Sequence, residues 1–175
     1  MQRRAVLTLI ALGSIVPSFA LAQRPAPQDQ KFGQEAEKYF QNTLETGSLS
    51  LETSRIAEEK AQNPWVKRFA NYETAEQEGV ASLFKTLGGQ APSPEAIDRM
   101  PQVRELRELS GQRFEEKYLD VQHEGHEKLL RIQDAFIATG QDPLIADMAK
   151  LIKGRVEEHL NLIEAVRGQL RYARR

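Results

Sequence analysis

Twice in this chain an Asx-Pro step, Asn63-Pro64 and Asp142-Pro143, separates long segments whose apolar residues recur every three or four positions. A side-chain oxygen followed by proline is a helix-start signal: the Asx oxygen accepts from free backbone N–H groups, and proline needs no N–H in the first turn. Two such steps divide the chain into two helical hairpins. Phe32, Ala36, Tyr39, Phe40 and Thr43 open the first stripe, and Gly47-Ser48 is expected to bend it before Leu49, Glu52 and Ile56. Val66, Phe69, Ala70, Val80, Leu83, Phe84 and Leu87 form the second, ending at Gly88-Gly89. Phe114, Tyr118, Val121, Leu129, Ile132 and Phe136 form the third, closed by Thr139-Gly140, and Ile145, Met148, Ile152, Val156, Ile163, Val166 and Leu170 form the fourth. No segment alternates as a strand does.

Residues 88–101 hold two glycines and three prolines and read as a loop with at most a short helical piece, followed by a short helix over Val103 to Leu109. Fourteen extended residues reach roughly 45 Å, more than the roughly 37 Å of a 25-residue helix, so this link can cross a bundle end to end. The expectation is an all-α, ferritin-like four-helix bundle over residues 32–172, two hairpins joined by a long crossover connection. An up-down-up-down bundle is the alternative topology.

Arg3-Arg4, the apolar run Ala5 to Val16, Pro17 and Ala20-Leu21-Ala22 read as a cleavable signal peptide over residues 1–22, cut after Ala22, with a flexible leader over 23–31. The run is too short to span a bilayer. A periplasmic or secreted protein is expected, exported by the general secretory route rather than the twin-arginine route, since Gln2 precedes the arginine pair. Without Arg3 and Arg4 the 24 basic residues fall to 22 against 25 acidic, a balance that argues against nucleic acid. Arg167, Arg171, Arg174 and Arg175 complement the carboxyl end of the last helix. A homodimer or an unidentified envelope protein is the expected partner. With no cysteine, disulfides, thiolate metal sites and covalent haem attachment are excluded.

Polar groups interrupt each stripe near its middle: Glu52 in the first, Glu73 with Glu76 or Gln77 in the second, His126 in the third and His159 in the fourth. Counted from the hairpin turns, Glu52 and Glu73 stand at similar heights, and His159 stands level with Gln122 and His123. A carboxylate on a core stripe needs a cation, a proton or a metal, and Glu oxygens with imidazole nitrogens suit zinc, manganese or iron. The metal set expected is Glu52, Glu73, His126 and His159, with Glu76, Gln77 and His123 as secondary candidates. His123 lies among Glu124 and Glu127 and reads as peripheral. A hydrogen-bonded polar layer without metal accounts for the same residues.

A di-iron centre built on paired Glu-x-x-His motifs is not available, because Val156 and His123 stand three residues before the two histidines. No phosphate loop, nucleophile elbow or His-Glu-x-x-His motif occurs. Met100 and Met148 are too far apart in sequence to suggest a Cu(I) cluster. These absences argue against an enzyme, and no catalytic residue or organic cofactor is assigned.

Four segments carry a family resemblance: Ala57-Glu58-Glu59-Lys60-Ala61, Asn63-Pro64-Trp65-Val66-Lys67-Arg68-Phe69-Ala70, Phe114-Glu115-Glu116-Lys117-Tyr118-Leu119-Asp120 leading to His126, and Glu158-His159-Leu160. Together, over about residues 32 to 170, they resemble the bacterial family called domain of unknown function 4142, exported ferritin-like proteins. The resemblance implies a ferritin-like bundle outside the cytoplasm with no established activity. It also implies that His126 and His159 occupy family positions, whereas Gln77 stands where another histidine is usual, so that Glu73 or Glu76 must substitute for the missing imidazole.

Overall fold

A computed structural model describes residues 32–172. The signal peptide and leader expected over 1–31, and Arg174 and Arg175, lie outside the described residues. Within them the chain is all-helical: α1 (Gln34–Lys60), α2 (Pro64–Thr86), α3 (Pro94–Asp98), α4 (Pro101–Glu108), α5 (Gly111–Thr139) and α6 (Pro143–Tyr172). None of these helices is long and apolar enough to cross a membrane.

The two Asx-Pro steps act as expected. Asn63 Oδ1 accepts from the backbone N–H groups of Trp65 (2.9 Å) and Val66 (3.4 Å), and Asp142 Oδ1 from those of Leu144 (3.0 Å) and Ile145 (3.1 Å). At the other end of α2 the chain turns out through Gly88, whose φ of 87° suits a residue without Cβ, and Gly89 N–H donates to the Phe84 carbonyl. The bend expected at Gly47-Ser48 does not break α1, which runs as one helix through both residues. Gly47 serves the packing instead: a Cβ there would stand 2.5 Å from Gln77 Oε1.

Side-chain pairs set the helix directions. Tyr39 donates to Gln133, and Ser54 and Tyr118 share a hydrogen bond, so α1 and α5 are antiparallel. Arg155 pairs with Glu76 while His159 meets Glu73, so α2 and α6 are antiparallel too. With α1 antiparallel to α2 across one hairpin, α2 and α5 run the same way. The link between them therefore travels the length of the helices, from Gly89 beside Leu44 to α4, where Lys60 Nζ donates to the Leu106 and Arg107 carbonyls at 3.0 and 2.7 Å. α3 and α4 lie along α1 on the way.

Two apolar cores fill the interior. One gathers Ile56, Val66, Phe69, Leu106, Phe114, Leu119, Ile163 and Val166, and the other Tyr39, Phe40, Leu44, Phe84, Phe136 and Ile145. In each long helix the residues of the two cores are separated by buried polar groups: Ser50 in α1, Glu73 and Gln77 in α2, Gln122 and His126 in α5, His159 in α6.

Glu115 of α5, a buried residue that the sequence reading passes over, ties the first hairpin to the second. Its Oε1 accepts from the Gln62 and Asn63 backbone N–H groups at 2.9 and 2.6 Å. Glu115→Ala removes a charged acceptor shared by two N–H groups of a part-buried turn and is expected to cost about 1–3 kcal/mol, read as a lowered melting temperature with helicity retained below the transition.

Candidate functional site

Glu73, His126 and His159 are 0, 1 and 2 % exposed, and they meet. Glu73 Oε2 lies 2.7 Å from His159 Nδ1 and 3.3 Å from His126 Nε2, and the two ring nitrogens are 3.2 Å apart. Three potential ligand atoms from three helices thus face one point. Phe69 packs against both rings, edge-on to His159 at 5.6 Å, and shuts the apolar side.

The remaining atoms of these residues are also engaged. His126 Nδ1 donates to the Gln122 carbonyl one turn back at 2.7 Å, and a carbonyl only accepts, so Nδ1 carries the hydrogen and Nε2 is the nitrogen turned to the cluster. His159 turns Nδ1 to the cluster and leaves Nε2 3.5 Å from Glu76 Oε2. Glu73 Oε1 accepts from Gln77 Nε2 at 2.9 Å and lies 2.6 Å from Ser50 Oγ. The Ser50 hydroxyl also reaches Gln122 Oε1, and with one hydrogen it donates to one oxygen at a time. Gln122 Nε2 is held in turn by the Ser50 carbonyl, Thr53 Oγ1 and Ser54 Oγ.

Of the residues expected to bind metal, the structure brings Glu73, His126 and His159 together, with Gln77 and Glu76 against them. It does not bring Glu52. That carboxylate, 24 % exposed, takes Arg107 Nη2 at 2.9 Å, because α4 of the long connection covers this edge of α1 and supplies a guanidinium. The height expected for α1 is right and the phase is wrong: Ser50, two residues away and so about 200° around the helix, faces Glu73. His123 stays peripheral, 29 % exposed and 3.9–4.0 Å from Glu164 and Glu127. Sequence reading missed Ser50 and gave Gln122 no role. A stripe of small hydroxyl residues at Thr46, Ser50, Thr53 and Ser54, facing a glutamine on the partner helix, was the available signal.

The family pattern of the domain of unknown function DUF4142 matches residues 21–166. The chain belongs to this family. No curated protein matches it. Among solved structures it is similar to a DUF305 fragment from Deinococcus radiodurans, with a TM-score of 0.67 and 19 % identity over 78 % of this chain and 97 % of that one. At that identity the likeness concerns the fold alone.

Electrostatically the cluster behaves as one unit. Burial alone would raise the Glu73 carboxyl, but the charge and hydrogen bonds of His126 and His159 outweigh it and hold the group well below the ordinary carboxylate range. Burial would likewise lower His126, and the Glu73 charge and hydrogen bond, with the Gln122 carbonyl, raise it above its ordinary 6.5. A depressed carboxylate stabilises the fold above its unfolded value and loses that contribution as pH falls; a raised histidine stabilises below its unfolded value and loses it as pH rises through the folded one. The metal-free chain is therefore expected to gain most from this pair between the ordinary values of 4.5 and 6.5. Thermal melts in chelator should show stability falling above that window in the wild type. In His126→Gln that alkaline decline should be reduced, and equal declines in both would refute the assignment.

Proposed function

We propose that this DUF4142 chain is an exported, ferritin-like four-helix protein that holds one divalent metal ion at Glu73, His126 and His159. The observation that carries this reading is that each of the three residues turns one atom to a common point while its other polar atom is held elsewhere. Ligating histidines characteristically pass their second N–H to a carbonyl or carboxylate, the roles of the Gln122 carbonyl toward His126 and of Glu76 toward His159. Gln77 and Ser50 orient the inner carboxylate in the same way. Bonds of about 2.0–2.1 Å in a tetrahedral site place neighbouring donors about 3.3 Å apart. Two of the three separations, 3.2 and 3.3 Å, already match, and the third, 2.7 Å, opens by a modest side-chain shift.

Two nitrogens and a carboxylate oxygen suit zinc, manganese or iron. A bound cation supplies at this point the positive charge that His126 otherwise supplies by taking a proton. Lacking paired Glu-x-x-His motifs, the site is read as holding a cation rather than turning over substrate. Parallel α2 and α5 with a long connection support the ferritin-like topology, and the Arg3 to Ala22 segment supports export by the general secretory route to the periplasm or beyond. The acidic balance supports a role away from nucleic acid.

One observation favours a second reading. The 2.7 Å contact is a good hydrogen bond, and two contacts on each Glu73 oxygen satisfy the carboxylate without metal. On that reading the cluster is a polar layer setting helix register in an envelope or stress-associated interaction protein. Elemental analysis of protein isolated without an affinity tag separates the two.

Near one equivalent of metal is expected, lost in His126→Ala and His159→Ala. Chelator should lower stability by about 2.7 kcal/mol where free metal stands at 100 times its Kd. Metal affinity should rise with pH, because His126 must give up its proton to bind, opposite in sign to the metal-free trend. No metal and no chelator effect would leave the polar layer as the function of these residues.

A further inference from the structure

The three inner residues are sealed, and so are most of their partners: Ser50, Gln77, Gln122 and Phe69 are all buried. Glu76 is different. Its side chain is 21 % exposed, and it is the group hydrogen-bonded or paired to the three residues that reaches solvent among the described residues. Its Oε2 lies 3.5 Å from His159 Nε2 and, on the outer side, accepts from Arg155 Nε at 2.9 Å, with Nη2 of the same guanidinium 2.8 Å away. The same guanidinium turns Nη1 to Glu158, a residue well exposed on α6. From solvent inward the order is Glu158, Arg155, Glu76, His159, Glu73.

We propose that Arg155 latches the approach to the metal site by occupying Glu76, and that a divalent cation enters by displacing Arg155 from Glu76 and passing to Glu73, His126 and His159. The inference rests on the metal reading above and adds to it a route and a closure. A guanidinium and a divalent cation repel each other and compete for one carboxylate oxygen, so they do not share Glu76 Oε2. Arg155 is half-exposed and hinges on its own flexible stem, so releasing Glu76 requires a side-chain movement alone. Glu158 keeps a carboxylate at the mouth, where it attracts the incoming cation and gives the displaced guanidinium a partner. When the cation has moved inward, Arg155 returns to Glu76, which then stands between the guanidinium and His159 Nε2 as it does in the structure.

Zinc uptake and release by the chelator-stripped, purified chain, followed by stopped flow with a chromophoric chelator, test the latch. In Arg155→Ala both rates are expected to rise about two- to fivefold, the factor an exposed ion pair supplies, with the zinc stoichiometry unchanged. Arg155→Lys should stay closer to wild type, and Lys150→Ala, which removes the same charge from an exposed pair on α6, should leave the rates unchanged. In a Glu76→Gln background Arg155→Ala should have no further effect, as expected if the two side chains act as one unit.

Equal rates in wild type and Arg155→Ala, or equal acceleration by Lys150→Ala, overturn the latch and leave the site standing. An Arg155→Ala effect that persists in Glu76→Gln also overturns it. A wild-type chain that takes up no zinc overturns the reading of the cluster, and the latch with it.

Discussion

A carboxylate with no exposed surface stands at the middle of this protein, and the interior is arranged around it. Leaving Glu73 charged and unpaired would cost several kcal/mol. Every long helix contributes to preventing that: Ser50 from α1, Gln77 from α2 itself, His126 from α5 and His159 from α6. A slip of any helix by one turn would pull its polar group into one of the two apolar cores and leave Glu73 short of a partner. The cluster thus specifies the relative heights of four helices, which the two cores, built of interchangeable Leu, Ile, Val and Phe, specify less sharply.

The cluster differs from a simple ion pair in the way its rings are held. Both rings also meet groups outside the cluster. His126 is fixed from within its own helix, through the carbonyl of Gln122, whereas His159 depends on Glu76 across the α2–α6 interface. One ring is therefore anchored within its own helix, and the other borders a side chain that reaches the surface and pairs with Arg155. Gly47 belongs to this design as well, since any larger residue there would collide with Gln77 and disturb the partner of Glu73 Oε1.

Much of this was readable in the amino-acid order. The Asx-Pro steps at 63–64 and 142–143 located both hairpin turns, because capping is a local interaction between neighbours in sequence. His126 and His159 were legible because imidazoles in apolar stripes stand out. Glu52 misled, since a carboxylate near a stripe edge looks the same whether a metal or an arginine meets it. The arginine, Arg107, arrives from a connection whose path no local pattern describes. Glu115 was hidden for a related reason: its partners are two backbone N–H groups in a turn some fifty positions away.

What the sequence determined alone were features set within a few residues: helix starts and ends, apolar faces, and the presence of carboxylates and imidazoles at mid-height. What only the tertiary structure decided was which of those groups touch. Helix height follows from counting at 1.5 Å per residue, but which side chain points inward depends on a rotation of 100° per residue and on the neighbouring helix. An error of two positions there exchanges a serine for a glutamate. Packing resolved that choice, placing Ser50 inside between Glu73 and Gln122 and leaving Glu52 under the crossing chain with Arg107.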